Sequence, residues 1–356
     1  MGKRETSSSP ESGNSLVKNR KVTVVDVAKA AGVSVSAVSR AFNPDASISK
    51  QLREKVMAAA ASLNYKPNRL ARGIKSRSSL IGILVTDFDN PFYLPVLAAF
   101  SSEIQRRNCH SLLINVSQDM DIQEAVELVM EYNVDGLIIT SASLPQPLVE
   151  ACRSQETPVV IFGRDSSENS VTVVSCDNVE AGRMAADMLL DAGYSRPAFV
   201  TGPVGTSASV DRQRGFLSRL IERNCDKWQI VEGGEFGYDA GFDASMRLFK
   251  GAERPDSVFY ADDIMACGGM DAIRYEFGLR VPEDVGVIGV DDIRLAQSRA
   301  YDLSTIRQPY EEMVSASIDH LFAHIADSSL QPRSITLPCS PVVRGSTNRS
   351  SGNSEG

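Results

Sequence analysis

At 356 residues, with 42% apolar and 23% charged side chains, the chain is long enough for two or three buried cores and too apolar to be disordered. No apolar run approaches the roughly 18 residues that a membrane helix needs, and MGKRETSSSPESGNS is not a secretory signal, so a cytoplasmic, nucleoid-associated protein is expected. The net charge of −8 hides a division: residues 1–79 hold 15 Lys and Arg against 5 Asp and Glu, and the remainder holds 22 against 40. A basic head on an acidic body suits a DNA reader that touches phosphate with one end only. Six cysteines (Cys109, Cys152, Cys176, Cys225, Cys267, Cys339) are scattered, mostly in apolar contexts, which reads as reduced core thiols and not as a disulfide or zinc framework.

Residues 1–21 are rich in Ser, Gly, Asn and charge and read as a disordered arm, with Lys18, Arg20 and Lys21 near phosphate. From Val22 to Asn43 two short helical patterns meet at Gly32-Val33. Thr23 is placed to cap the first helix, with Asp26 three positions on, and Val27, Ala28 and Ala31 form its apolar face. Gly32 permits a left-handed stop, Ser34 caps a second helix, and Val38, Ala41 and Phe42 turn inward. Ser34, Val35, Ser36, Ser39 and Arg40 then share the outer face, and Thr23 and Asn43 are further candidate DNA contacts. Short side chains let a backbone approach the major groove: hydroxyls meet donor or acceptor edges, Val35 meets a thymine methyl, and Arg40 forks onto guanine. Ser49 caps a third helix, whose Leu52, Val56, Ala59, Ala60 and Leu63 close the core and whose charged face is expected to be solvated.

DVAKAAGVSVSAVSRAFN followed by YKPNRLARGIK resembles the DNA-binding head of the lactose-repressor (LacI/GalR) family of bacterial transcription regulators, and family-like segments extend from about Val22 to Asn348. The resemblance implies a helix-turn-helix domain over 22–66 and a hinge helix with linker over 67–79. In the family the hinge folds on DNA, pairs with its counterpart in a second subunit and wedges an apolar side chain into the minor groove. Ile74 matches that wedge, where many relatives carry Leu, and Asn68, Arg69, Arg72 and Lys75 would line the groove or hold phosphate. The resemblance also implies a homodimer on a pseudo-palindromic double-stranded operator. The polar tail, 349–356, has no heptads for a coiled-coil tetramer.

From Leu80, apolar runs alternate with helical stretches, an α/β pattern with parallel sheets. Strands are expected at LIGILVT, SLLINVS, GLIITS and PVVIFG, then at PAFVTG, QIVEGG, SVFYA and VGVIGV, which makes two doubly wound lobes. STIRQPYEEMVSASIDHLFAHI and SITLPCSPVVRGST resemble the family's closing helix and strands. The expected architecture is therefore an all-α helix-turn-helix head with hinge, then a two-lobed, periplasmic-binding-protein-like α/β sensor over 80–348. Lobe 1 would be about 80–193 and 308–338, and lobe 2 about 194–307 and 339–348, with crossings near Gly193, Thr305 and Leu337.

Ligands of open parallel sheets sit beyond the strands' carboxyl ends. Candidates there are Phe92 and Tyr93, Arg164 and Asp165, Asp177, Arg212, Phe236, Asp262 and Asp263, and Asp291. Carboxylates and guanidinium fork onto neighbouring hydroxyls while aromatic faces cover a sugar ring, which suits a polyhydroxylated effector. By resemblance, Phe92, Asp177, Arg212, Phe236, Asp262 and Asp291 match effector-contacting positions, while Asp263 and Asp165 read as structural. Relatives usually have Asn-Asp where this chain has Asp262-Asp263. That departure favours other hydroxyl stereochemistry or an amino group, whereas Arg164 beside Arg212 favours an acidic sugar, and a purine or other non-sugar metabolite stays open.

No Walker loop, GxSxG elbow or helix-opening GxGxxG is present, and His320 and His324 have no third-ligand pattern, so no enzyme, cofactor or metal site is expected. A transport solute-binding protein would have the same lobes but a signal peptide and no DNA head. A sugar-modifying enzyme would need a catalytic motif.

Overall fold

The computed structural model describes residues 22–43, 46–65, 78–116, 122–140, 146–164 and 171–349. The arm, the hinge residues Asn68, Arg69, Arg72, Ile74 and Lys75, Asp165, and the tail from Ser350 lie outside the described residues. The chain divides into two units, residues 1–76 and 77–356.

In the first unit, α1 (Val24–Ala31) begins at Thr23, whose backbone N–H and hydroxyl both donate to Asp26 Oδ2, at 2.8 and 2.7 Å. It ends at Gly32 with φ of 62°, a conformation that a Cβ disfavours. The Ser34 hydroxyl accepts from Ala37 N at 3.2 Å and starts α2 (Val35–Ala41), and Ser49 accepts from Leu52 N at 3.3 Å to start α3 (Lys50–Ser62). Val27, Ala28, Ala31, Val38, Ala41, Val56 and Ala60 form the core, with Phe42 edge-on to Tyr65 at its margin. The third helix departs from the expected solvated face in one respect. Arg53 turns inward and donates to the carbonyls of Ala41 and Ala46 at 3.1 and 3.2 Å, satisfying an acceptor that the end of α2 leaves open and one in the loop after it.

In the second unit β1 (Leu80–Val85), α4 (Tyr93–Arg106), β2 (His110–Asn115), α5 (Ile122–Glu131), β3 (Gly136–Ile139), α6 (Gln146–Ser154), β4 (Val159–Phe162) and β5 (Thr172–Cys176) alternate. A second series follows: α7 (Asn178–Asp191), β6 (Pro197–Thr201), α8 (Ser207–Glu222), β7 (Gln229–Glu232), α9 (Tyr238–Lys250), β8 (Ser257–Tyr260), α10 (Asp263–Asp271), β9 (Gly286–Val290) and β10 (Ser304–Arg307). The chain closes with α11 (Tyr310–Ala326), β11 (Ser334–Leu337) and β12 (Ser340–Val342). One sheet has the order β11-β5-β4-β3-β1-β2 and the other β12-β10-β9-β8-β6-β7. Every pairing is parallel except β12 with β10. The central strands β4 and β9, VVIF and GVIGV, have no polar side chain and are buried throughout because helices cover both of their faces. Strand β5 was absent from the sequence expectation: TVVSC is short, and its Thr and Ser disguise a fully buried strand.

Two features fix the frame. The Asp135 carboxylate, in the turn before β3, accepts from Ser78 N at 2.9 Å, Ser78 Oγ at 3.2 Å and Ser79 N at 2.8 Å, which pins the start of β1. Helices α7 and α8 cross almost backbone to backbone. A Cβ on Gly182 would lie 2.1 Å from the Arg212 carbonyl oxygen, and one on Gly215 would lie 1.9 Å from that of Val179. Helix α7 thus packs on α8 and on β8, β9, β10 and β12 of the second sheet, which corrects the expected crossing near Gly193: the chain first changes lobe at Cys176–Asn178. The tight helix contact, invisible in periodicity, is the reason. The later crossings run from Arg307 to Tyr310 and from Leu337 to Ser340.

Because backbone atoms cannot yield as a flexible side chain does, Gly215→Ala is expected to destabilise the second unit by about 3 kcal/mol. Urea unfolding followed by circular dichroism checks this, and a loss below about 0.5 kcal/mol would mean that the helices move apart freely.

Candidate functional site

The outer face of α2 presents Ser34, Val35, Ser36, Ser39 and Arg40, all exposed, with Asn43 exposed one residue beyond Phe42. Val35 is 43% exposed, so its methyl groups are open to a partner. Ser34 and Ser36 hydroxyls lie 2.9 Å apart while Ser34 also caps the helix, which fixes the orientation of both. Thr23 is half-buried, and its hydroxyl already donates to Asp26.

In the second unit the carboxyl ends of the strands bring together groups from both lobes. Asp262 follows β8 and caps α10, its Oδ1 accepting from Met265 N at 2.8 Å. Its Oδ2 accepts from Asn90 Nδ2 at 3.1 Å, a buried hydrogen bond from the loop after β1 in one lobe to the end of β8 in the other. Arg212, on α8 and 3% exposed, donates from Nε to Asn178 Oδ1 at 2.9 Å and from its terminal nitrogen to the Ala261 carbonyl. Asp291 follows β9 with φ of 118°, a backbone conformation rarely tolerated outside glycine and a mark of strain held at a site. Gln308 Nε2 donates to Asp291 Oδ1 at 2.6 Å from the β10–α11 crossing.

Burial pushes the Asp262 carboxyl up to about 8, the nearby Asp291 charge adds to this, and the Met265 N–H and Arg212 oppose it. Burial also raises Asp291, to about 6, against Arg212 and Gln308. Tyr93, half-buried beside this cluster, is raised by burial and by Asp87 and Asp291. Arg164 is lowered by burial, with Tyr93 as its electrostatic neighbour. Phe92 is buried, its N–H donating to Asn90 Oδ1 at 3.0 Å and its ring edge-on to Tyr93 and Tyr310. A groove of about 660 Å³ runs from Phe92 and Leu94 to Asp291, Leu295 and Arg307.

Of the sequence candidates, the structure gathers Phe92, Tyr93, Arg164, Arg212, Asp262 and Asp291. Phe236 lies over Gly202 after β6, where a Cβ would meet its ring at 2.4 Å. Asp177 caps α7 by accepting from Glu180 N at 2.9 Å, and its neighbour Asn178 is the residue bonded to Arg212. Asp263 is fully buried, accepting from Thr305 Oγ1 at 2.6 Å and Ile293 N at 3.0 Å, so it holds α10, β9 and β10 together. Asn90, Asn178 and Gln308 escaped the sequence reading. Asn90 stands inside TDFDNPFY and Gln308 just before the Pro309 crossing, so an amide at a strand end or a lobe crossing was the available signal.

Residues 23–68 match the family profile described as bacterial regulatory proteins, lacI family, and residues 186–347 match a periplasmic binding protein-like domain. The chain is 33% identical over 330 residues to the ribose operon repressor of Escherichia coli (strain K12), covering 91% of this chain and 99% of that protein. The chain belongs to the lacI family. Another relative is the HTH-type transcriptional repressor PurR of Edwardsiella ictaluri (strain 93-146), 30% identical over 331 residues, covering 91% of this chain and 96% of that one. Among solved structures, the lac repressor dimer bound to operator and the anti-inducer ONPF superposes with a TM-score of 0.79 at 27% identity, covering 92% of this chain and 99% of that one. Membership identifies the first unit as the family's DNA-binding head and the second as its two-lobed small-molecule sensor. Among the described residues no helix is long and apolar enough to cross a membrane.

The carboxyl pair gives the sensor a pH signature. Both folded-state pKa values lie above the ordinary 3.8, so between about pH 4 and 8 the folded chain holds protons that the unfolded chain releases. That contribution is complete below about pH 4 and is lost as pH rises through 6 and then 8. Without effector, the melting temperature should therefore fall between pH 6 and 8.5, and Asp262→Asn should flatten the fall. Equal slopes for the two proteins, measured by scanning calorimetry, would place the proton elsewhere.

Proposed function

We propose that the protein is a dimeric transcriptional repressor whose operator affinity is set by a small polyhydroxylated effector, held among Asn90, Arg212, Asp262 and Asp291. The observation that carries this reading is the buried Asn90–Asp262 hydrogen bond between lobes, beside Arg212 and the strained Asp291. An effector hydroxyl pair replaces such a bond without leaving a polar group unsatisfied, and so couples binding to the lobe angle. Phe92, Tyr93 and Phe236 supply aromatic surface, Arg164 a second cation, and Asp177 a cap at the lobe crossing. The likeness to a ribose operon repressor supports a sugar of about that size.

A change in lobe angle needs only a few kcal/mol of differential effector affinity to shift the hinge segments of a dimer between paired and separated. On DNA, Ser34, Val35, Ser36, Ser39, Arg40 and Asn43 would face the major groove with Thr23 near phosphate. Asn68, Arg69, Arg72, Ile74 and Lys75 would serve the minor groove and its flanks. The protein acts as a regulator and not as an enzyme, and it works on DNA in the cytoplasm. A purine effector is the second reading, favoured by the likeness to PurR.

A thermal-shift comparison of D-ribose, glucuronate and hypoxanthine decides the class, because a ligand of the native state raises its melting temperature. A rise with ribose that Asp291→Asn abolishes supports the sugar site, and a rise with hypoxanthine alone replaces it by the purine reading. Absence of any rise would overturn the effector assignment and leave the DNA-binding head untouched.

On an operator selected from random duplexes, Arg40→Ala should cost about 1–3 kcal/mol and flatten preference at one base pair. A uniform loss across all sequences would make Arg40 a phosphate contact instead.

A further inference from the structure

The three segments that pass between the lobes meet at a pair of thiols. Cys176 is the last residue of β5, where the chain first crosses, and Cys339 lies in the last crossing between β11 and β12. The parallel register pairs Cys176 with Leu337, and Asp177 N donates to the Leu337 carbonyl at 2.9 Å, so Cys339 sits two residues beyond the paired position. Its Sγ donates at 3.8 Å toward the carbonyl of Asp177, the residue that follows Cys176, so both thiols border the same short piece of backbone. The middle crossing joins them through Gln308, whose Oε1 accepts from Cys176 Sγ at 3.2 Å while its Nε2 donates to Asp291. A line of hydrogen bonds thus runs from the thiol pair to a carboxylate of the sensor site.

We propose that Cys176 and Cys339 form a peroxide-sensitive dithiol that closes to a disulfide and staples the first and last lobe crossings. The pair is chemically asymmetric. The neighbouring Cys339 and the Arg212 charge lower Cys176 against its burial, whereas Cys339 is raised, and burial raises Cys152, Cys225 and Cys267. The thiolate is the nucleophile, which assigns attack to Cys176. Both sulfurs are buried, at 2% and 6% exposure, so reaction follows opening of the crossings, and hydrogen peroxide is little larger than water. The Cys176 thiolate attacks one peroxide oxygen, the O–O bond breaks, and hydroxide leaves with a proton as water, giving a sulfenic acid. The Cys339 thiolate then attacks that sulfur and the S–O bond breaks. A second water leaves and the S–S bond forms: two thiols lose two electrons and one peroxide becomes two waters.

Oxidation removes the S–H that orients Gln308 and ties β5–α7 to β11–β12. The consequence for effector binding rests on the proposed sensor site, but the disulfide itself does not. The test exposes the full-length protein to hydrogen peroxide, denatures it, alkylates the remaining thiols and maps peptides by mass spectrometry. We expect one cross-linked pair, Cys176 with Cys339, and alkylation falling from six thiols to four, reversed by dithiothreitol. Cys176→Ser and Cys339→Ser should each abolish that cross-link, and the wild-type map stands alone if either variant fails to fold. Peroxide consumed at the half-exposed Cys109 or Cys225, with Cys176 and Cys339 still fully alkylated, would overturn the proposal.

Discussion

Arg212 is the charge about which the interior of the sensor is built. A guanidinium that is 3% exposed needs polar partners and opposite charge nearby, and it has hydrogen bonds to Asn178 and the Ala261 carbonyl and the electrostatic company of Asp262 and Asp291. Each of those groups stands at the end of a strand or the start of a helix, so the cation gathers the points where β8 and β9 stop and α7 begins. Two carboxyls against one buried guanidinium leave an excess of negative charge. Burial and mutual repulsion answer this by keeping protons on the carboxyls well above the usual carboxylate range. A carboxyl that carries a proton both donates and accepts, so Asp262 offers part of the hydrogen-bonding range of an asparagine at that position.

Local chemistry was the most legible part of the sequence. Thr23 with Asp26, Gly32, Ser34 and Ser49 announce the ends of three helices, because caps and left-handed stops act over three or four residues. The two runs of Val and Ile announce two parallel sheets, because strands covered on both faces have no polar side. What escaped depends on partners far along the chain. Arg53 looked like one more solvated charge until the carbonyls of Ala41 and Ala46 came within its reach. The lobe of α7 could not be read from its own pattern, since Gly182 is informative only when Gly215, 33 positions later, lies against the same crossing.

The candidate site divides in the same way. Strand-end charges were visible because topology dictates where strand ends gather, and Arg212, Asp262 and Asp291 do gather. Amides were harder, since Asn90, Asn178 and Gln308 have no pattern of their own and matter only as the groups that orient charges. Asp177 was visible for a capping signal, and capping is what it does in the structure. The crossings carry small polar and sulfur-bearing residues because three passing backbones leave little room there, and whatever stands at that knot is felt in both lobes.

The close passage of α7 over α8 has a consequence for how such a sensor diversifies. The same backbone contact that forbids a Cβ at Gly182 fixes the carbonyl of Arg212, and with it the origin of the guanidinium. Arg212 is therefore tied to the helix crossing, and replacing it disturbs its bonds to Asn178 and the Ala261 carbonyl as well as any ligand. Asn90, Tyr93, Arg164 and Phe236 stand in loops or at a helix start, away from that helix crossing. Change of ligand preference should then come hardest at Arg212, which the helix crossing fixes, and more readily at cleft positions that carry no part of that crossing.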